Sequence, residues 1–169
     1  MRSAASSRIV SVASLAHRRG RLHLDDFQLR HAYGAQDAYR QSKLAMLMFG
    51  LELDRRLRAA GSPVLSIPVH PGWAVTGIFR RGERASLVQR LAGHAIFRVL
   101  GQSAALGALP LLYAATAPQA RGGAYYGPDG ARETTGYPVP AKIEPHARDE
   151  AAAGRLWTLS EELTGVRFP

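Results

Sequence analysis

Arg8-Ile9-Val10-Ser11-Val12-Ala13 is a short, β-branched, apolar run that ends in a polar stretch, and it reads as a buried strand of a parallel sheet. After a connection rich in Gly, His and Arg, residues 37–60 carry apolar side chains at Leu44, Leu47, Met48, Leu51 and, with slippage, Leu57. That spacing predicts a long amphipathic helix, stopped by Gly61-Ser62-Pro63 with arginines in its last turns. Val64-Leu65-Ser66-Ile67-Pro68-Val69 is the next strand, although its Pro68 is tolerable mainly near an edge or a strand end. His70-Pro71-Gly72 breaks it. Further along, 86–99 and 102–116 read as helices and 123–126 as a short strand before the turn Gly127-Pro128-Asp129-Gly130. Residues 144–163 read as a closing helix. Strand, helix, strand, helix, strand is the logic of an α/β fold with a parallel sheet.

Composition narrows the function classes. The chain has 169 residues, 46% hydrophobic and 21% charged, which suits one globular unit and argues against disorder. The most apolar stretch, 100–117, contains Gln102, Ser103 and Pro110 and falls short of the roughly 20 clean apolar residues of a membrane span. No membrane span is expected. The first residues lack the apolar core of a signal peptide, and there are no cysteines for disulfides or thiolate metal sites. A cytoplasmic enzyme or binding domain is therefore expected. The net charge is +9, yet only Lys43 and Lys142 are lysines and the arginines are scattered. The longest basic cluster, His17-Arg18-Arg19-Gly20-Arg21, has no interleaved aromatics on which bases could stack, so no nucleic-acid partner is expected. The six histidines show no ligand spacing such as His-Glu-x-x-His, and no metal site is expected.

Three chemical features line up on this scaffold. Tyr39-Arg40-Gln41-Ser42-Lys43 places a phenol and an ammonium four residues apart, one helical turn from each other on the same face. A nearby cation favours phenolate over phenol, and a tyrosine tuned in this way is a general acid/base for a carbonyl or alcohol oxygen. Ser14 sits at the carboxyl end of the first strand, where open α/β sheets place their ligand crevice, and its hydroxyl can hydrogen-bond the same oxygen. After the second strand, Pro71-Gly72-Trp73-Ala74-Val75-Thr76 gives a rigid turn and then a hydroxyl on the crevice side. Each residue also has a plainer reading: Tyr39 a packed aromatic, Lys43 a solvated helix residue, Ser14 a strand-end cap, Thr76 a cap of the next turn. Trp73 reads as packing beside the crevice.

Taken together, Ser14, Tyr39-x-x-x-Lys43 and the Pro71-Gly72…Thr76 turn resemble the short-chain dehydrogenase/reductase family. The runs Arg8-Ile9-Val10-Ser11-Val12-Ala13-Ser14-Leu15-Ala16-His17, Tyr39-Arg40-Gln41-Ser42-Lys43-Leu44-Ala45 and His70-Pro71-Gly72-Trp73 look like its retinol-dehydrogenase and WW-domain-oxidoreductase branch, which also has a long connection between the serine strand and the tyrosine helix. The resemblance implies hydride transfer between NADP or NAD and a carbonyl or alcohol of a hydrophobic small molecule. It implies Ser14, Tyr39 and Lys43 as catalytic residues, and Tyr39, Lys43, Pro71, Gly72 and Thr76 as cofactor-binding ones. Ala13 stands where the family usually has the first serine of a Ser-Ser pair.

The resemblance covers nearly the whole chain but only the catalytic, C-terminal part of the family's domain. No Gly-x-x-x-Gly-x-Gly or Gly-x-Gly-x-x-Gly occurs, and that fingerprint would lie before Met1. The expected fold class is thus a partial Rossmann-type, doubly wound parallel sheet lacking the N-terminal dinucleotide-binding strands. Residues 1–169 form one N-terminally incomplete domain on this reading, and tight NADPH or NADH binding by this chain alone is not expected. In the family the serine strand pairs with the strand before it and the tyrosine helix commonly packs against a partner subunit, so the resemblance implies an unpaired edge on the first strand and a homo-oligomer through the 37–60 helix. The alternative is a non-catalytic remnant or partial gene product; an in-frame Gly-rich βαβ unit upstream of Met1 in the gene would separate the two.

Overall fold

The computed structural model describes residues 7–74 and 101–168. Its sheet has the order β1-β2-β3-β4, with β1 Arg8–Val12, β2 Leu65–Val69, β3 Tyr126–Pro128 and β4 Pro138–Pro140. β1 and β2 pair in parallel from Arg8↔Leu65 to Val12↔Val69. β2 and β3 are parallel through Val69↔Tyr126, and β4 runs antiparallel to β3. The helices are α1 Ala35–Ala59, α2 Ala104–Thr116 and α3 Glu150–Thr164. This is the expected α/β class with a mostly parallel open sheet.

Alternation along the strands puts helices on both faces. Ile67 and Val69 of β2 and Val10 of β1 pack with Ala114 and Leu111 of α2. The intervening residues turn the other way. Ser66 Oγ donates to the Gly50 carbonyl over 2.8 Å, and the absent side chain of Gly50 lets α1 approach Pro68. Ile9 packs with Leu53, Leu57 and Trp157, which ties α1 and α3 to the same side. Arg8 reaches across the α2 face and donates to the carbonyls of Ala114 and Ala117, the orphan acceptors at the end of α2.

Pro68 lies in a central strand but one residue from its end, as the strand-end alternative allows, and the hydrogen-bond direction explains why it is tolerated there. The N–H of Leu65 points to β1, donating to the Ser7 carbonyl, so the alternate positions 66, 68 and 70 face β3. β3 joins β2 only from Val69 onward: the His70 N–H reaches the Tyr126 carbonyl, while Pro68 lies before the pairing starts. Ser66 N–H, also ahead of β3, is taken by Asp54 Oδ1 of α1 over 3.3 Å.

Other boundaries shift for local reasons. The strand expected over 123–126 forms later, at Tyr126–Pro128, because Gly123 is left-handed (φ 72°) and Ala124 N–H closes a turn onto the Arg121 carbonyl. The expected turn Gly127-Pro128-Asp129-Gly130 therefore loses its first half to β3. The closing helix begins at Glu150, not 144: Pro145–Arg148 form a separate 3-10 turn, and Asp149 caps the helix by accepting the Ala152 N–H over 2.9 Å. α1 starts at Ala35, ahead of Asp37, and α2 at Ala104 behind its cap Ser103. The expected helix over 86–99 lies outside the described residues. β1 has one strand partner among the described residues, β2. No described helix is long and apolar enough to cross a membrane.

Candidate active site

β1 and β2 end side by side, with Ala13 N–H bonded to the Val69 carbonyl over 2.8 Å, so the segments leaving the two strands converge on one rim of the sheet. Ser14 comes directly after β1 and caps the 3-10 turn Leu15–Arg19, its Oγ accepting the Ala16 N–H over 3.2 Å. The capping role and the candidate site thus share one hydroxyl. Tyr39, in the second turn of α1, donates to Ser14 Oγ over a long 3.4 Å and keeps 42% of its surface exposed. Lys43, one turn on, donates to the Val12 carbonyl over 3.0 Å, with its Nζ 5.8 Å from the Tyr39 ring centre. An ammonium has three donors, and among the described residues Val12 takes one. The structure therefore brings Ser14, Tyr39 and Lys43 together.

The register of α1 against this rim is set by Gln41. It is buried, accepts the His23 N–H over 2.9 Å and donates to the Phe27 carbonyl over 2.8 Å, fastening the long connection to the helix. Gly20 completes the seam, since any side chain there would meet the Arg40 carbonyl and Leu44.

Pro71 and Gly72 leave β2 at the same rim. Gly72 is left-handed (φ 62°), and a Cβ there would collide with the Thr134 carbonyl. Trp73 N–H donates to that same carbonyl over 2.7 Å. Gln102 holds the turn from the other side: its Nε2 donates to the Pro71 carbonyl over 2.8 Å and its Oε1 accepts the Gly136 N–H over 2.9 Å. Thr76 lies outside the described residues.

Beneath the rim is a buried polar layer to which no sequence motif points. His17 Nδ1 lies 2.7 Å from the Ser14 carbonyl, and His70 Nε2 lies 3.1 Å from Glu133 Oε2. Tyr125 packs against both rings, at 5.4 and 5.1 Å between centres. Burial disfavours charge on all three: it holds His17 below the ordinary histidine range, His70 down to about 4, and pushes the Tyr125 hydroxyl up. Glu133 also receives Arg18 at 2.7 Å and the Lys142 N–H at 3.0 Å. It is delivered by two consecutive left-handed residues, Arg132 (φ 56°) and Glu133 (φ 59°). Nothing in Ala131-Arg132-Glu133-Thr134 announces that conformation; His70 beside Pro71-Gly72 is the only local signal, and it reads first as a strand breaker. No group of three metal-ligating side chains occurs among the described residues.

No family model matches the chain. It is 37% identical over 163 residues to polyprenol dehydrogenase of Mus musculus, covering 95% of this chain and 45% of that protein. It is 36% identical over 173 residues to retinol dehydrogenase 13 of Homo sapiens, with 100% and 49% covered. It is 32% identical over 171 residues to retinol dehydrogenase 14 of Homo sapiens, with 98% and 46% covered. Among solved structures, an uncharacterised protein from Mycobacterium paratuberculosis superposes with a TM-score of 0.74 at 37% identity, over 97% of this chain and 52% of that one. The chain spans about half the length of the curated relatives it matches. With the motifs in order on a matching fold, the chain belongs to the short-chain dehydrogenase/reductase family of oxidoreductases and corresponds to the C-terminal part of these retinol and polyprenol dehydrogenase relatives.

Proposed function

We propose that this chain carries the catalytic residues of an NAD(P)-dependent oxidoreductase acting on a carbonyl or alcohol of a hydrophobic small molecule. The observation that carries the reading is the convergence of Ser14, Tyr39 and Lys43 at the carboxyl rim, with the Tyr39 hydroxyl exposed and aimed at Ser14. The residues fit the nicotinamide end of such a cofactor: Lys43 has donors to spare for ribose hydroxyls, and the Pro71-Gly72 turn, its own backbone groups held by Gln102 and His70, leaves β2 on the same rim. When bound, the nicotinamide would supply or accept the hydride. Ser14 and Tyr39 would share the substrate oxygen in place of their long mutual hydrogen bond. In reduction Tyr39 gives its proton to that oxygen, and in oxidation it takes it back. Ser14 holds the oxygen in line, and Lys43 places positive charge where the phenolate forms.

The test is Tyr39→Phe in the full-length gene product, monitored by nicotinamide absorbance with hydrophobic alcohols and aldehydes. Turnover should fall about 100- to 10,000-fold, with cofactor affinity nearly unchanged, because a proton donor is lost and little packing. Activity above a few per cent of the unaltered protein would remove Tyr39 from this role.

A further inference from the structure

We propose that His70 and Glu133 are positioning residues that clamp the Pro71-Gly72-Trp73 turn at the edge of the candidate site. The inference rests on the oxidoreductase reading for what the turn faces, and on hydrogen-bond geometry alone for the clamp itself.

The His70 ring is fully buried and bonded at both nitrogens. Gly72 N–H can only donate, so His70 Nδ1 accepts it, over 3.2 Å. The neutral ring then carries its hydrogen on Nε2 and donates to Glu133 Oε2 over 3.1 Å. One imidazole thus links the backbone of the turn to a carboxylate 63 residues further along the chain. The space for the ring is itself reserved, because any side chain at Gly127 would collide with it.

Glu133 is held in turn by the Arg18 guanidinium and the Lys142 backbone. Its neighbour Thr134 offers the carbonyl that accepts Trp73 N–H and fills the space behind Gly72. The 131–134 segment therefore grips the turn twice, once through the His70 ring and once through backbone. It does so with two adjacent non-glycine residues in the left-handed region, a conformation that persists only where surrounding contacts enforce it and that clusters at functional sites. Arg18 lies four residues beyond Ser14, so the same carboxylate also joins the turn to the segment that begins at the serine. Neither His70 nor Glu133 is hydrogen-bonded to a hydroxyl of the candidate site; both act through the segments that they hold.

The two bonds of His70 can be separated by substitution. In His70→Asn the amide oxygen sits near the place of Nδ1 and can still accept Gly72 N–H, whereas in His70→Gln the amide reaches toward Glu133 and leaves Gly72 unpaired. Amide hydrogen exchange by NMR on the 169-residue chain reads the clamp directly, with Ala13 N–H, bonded to Val69, as the internal reference. Glu133→Ala and His70→Gln should speed exchange at Gly72 and Trp73 about tenfold relative to Ala13, and His70→Asn should restore Gly72. Exchange at Gly72 and Trp73 that moves only in step with Ala13, or not at all, overturns the proposal. If the substitutions prevent folding, the unaltered chain still decides: ring nitrogen shifts must show His70 neutral with its hydrogen on Nε2, and a hydrogen on Nδ1 at neutral pH overturns the clamp. In the full-length gene product, Glu133→Ala should raise the cofactor KM more than it lowers kcat, and an unchanged KM overturns the positioning role. Selective loosening of the turn in a protein with no nicotinamide-linked turnover supports the clamp and counts against the oxidoreductase reading instead.

Discussion

Lys43 Nζ donates to the carbonyl oxygen of Val12, the last residue of β1, over 3.0 Å, and so fastens the tyrosine-bearing helix to the strand that presents Ser14. The bond fixes the ammonium one turn below Tyr39 and leaves its other hydrogens available to a ligand. Lys43→Ala should therefore cost turnover and cofactor binding together, the former by about 100-fold, read as kcat and cofactor KM in the full-length gene product. A loss confined to one of the two parameters would mean that Lys43 has only one of these jobs.

Gly72→Ala joins two penalties. The left-handed backbone costs about 1–3 kcal/mol for a residue with a Cβ, and the methyl group also meets the Thr134 carbonyl. Urea unfolding should show a loss of at least about 1 kcal/mol, and turnover should fall with it.

Acid should destabilise the fold over a defined window. Burial lowers His70 to about 4 in the folded chain against 6.5 when unfolded, and shifts His17 in the same direction. A histidine that is harder to protonate when folded contributes stability that is complete above about pH 6.5. That stability is lost as pH falls toward 4, because the unfolded chain binds more protons in that interval. The His70 share is on the order of 3 kcal/mol. Melting temperature measured from pH 7 to pH 4 should fall, and it should fall less steeply in His70→Asn.

Asp54 is fully buried in α1, accepts Ser66 N–H and pairs with Arg58 at 2.9 Å. It stands in for a strand partner that β2 lacks at that height. Asp54→Ala leaves a buried backbone N–H unsatisfied and should destabilise the chain by about 1–3 kcal/mol in chemical denaturation.

The outer edge of β1 has no strand partner among the described residues, Lys43 covering only the Val12 carbonyl at its end, and its side chains are mostly half-buried. An apolar edge of this kind invites pairing with another copy. Sedimentation of the 169-residue chain should show oligomers at micromolar concentration, and a monomer with a sharp cooperative melt would contradict this.

Legibility in the residues tracks the strength of local pattern. α1 is legible because its apolar spacing runs for many turns, β1 because a β-branched run ends in a polar stretch, and β2 because His70-Pro71-Gly72 breaks it. The Tyr39–Lys43 pair is legible from helical spacing alone, and Ser14 from its place after a strand. β4 is not, because Pro138-Val139-Pro140 reads as loop; it is tolerated where it is because β4 is the last strand of the sheet and pairs on one side only. Gln41, Gln102 and Glu133 escape a sequence reading for a different reason. Their work is done on groups many residues away along the chain, and no periodicity encodes such a contact.

The proline in β2 has a mechanical consequence. β1 and β2 are laced by five register pairs, whereas β2 meets β3 in a single pair at Val69 and Tyr126, supplemented by Gly123 N–H on the Ser66 carbonyl. The sheet is therefore stiff on one side of β2 and compliant on the other, and Pro68 keeps it so because it offers no hydrogen with which the seam could be extended. The seam ends at His70, directly before the Pro71-Gly72 turn. Slow breathing of this molecule should open first along that line, so that the softest joint in the sheet lies against the rim where a ligand would enter.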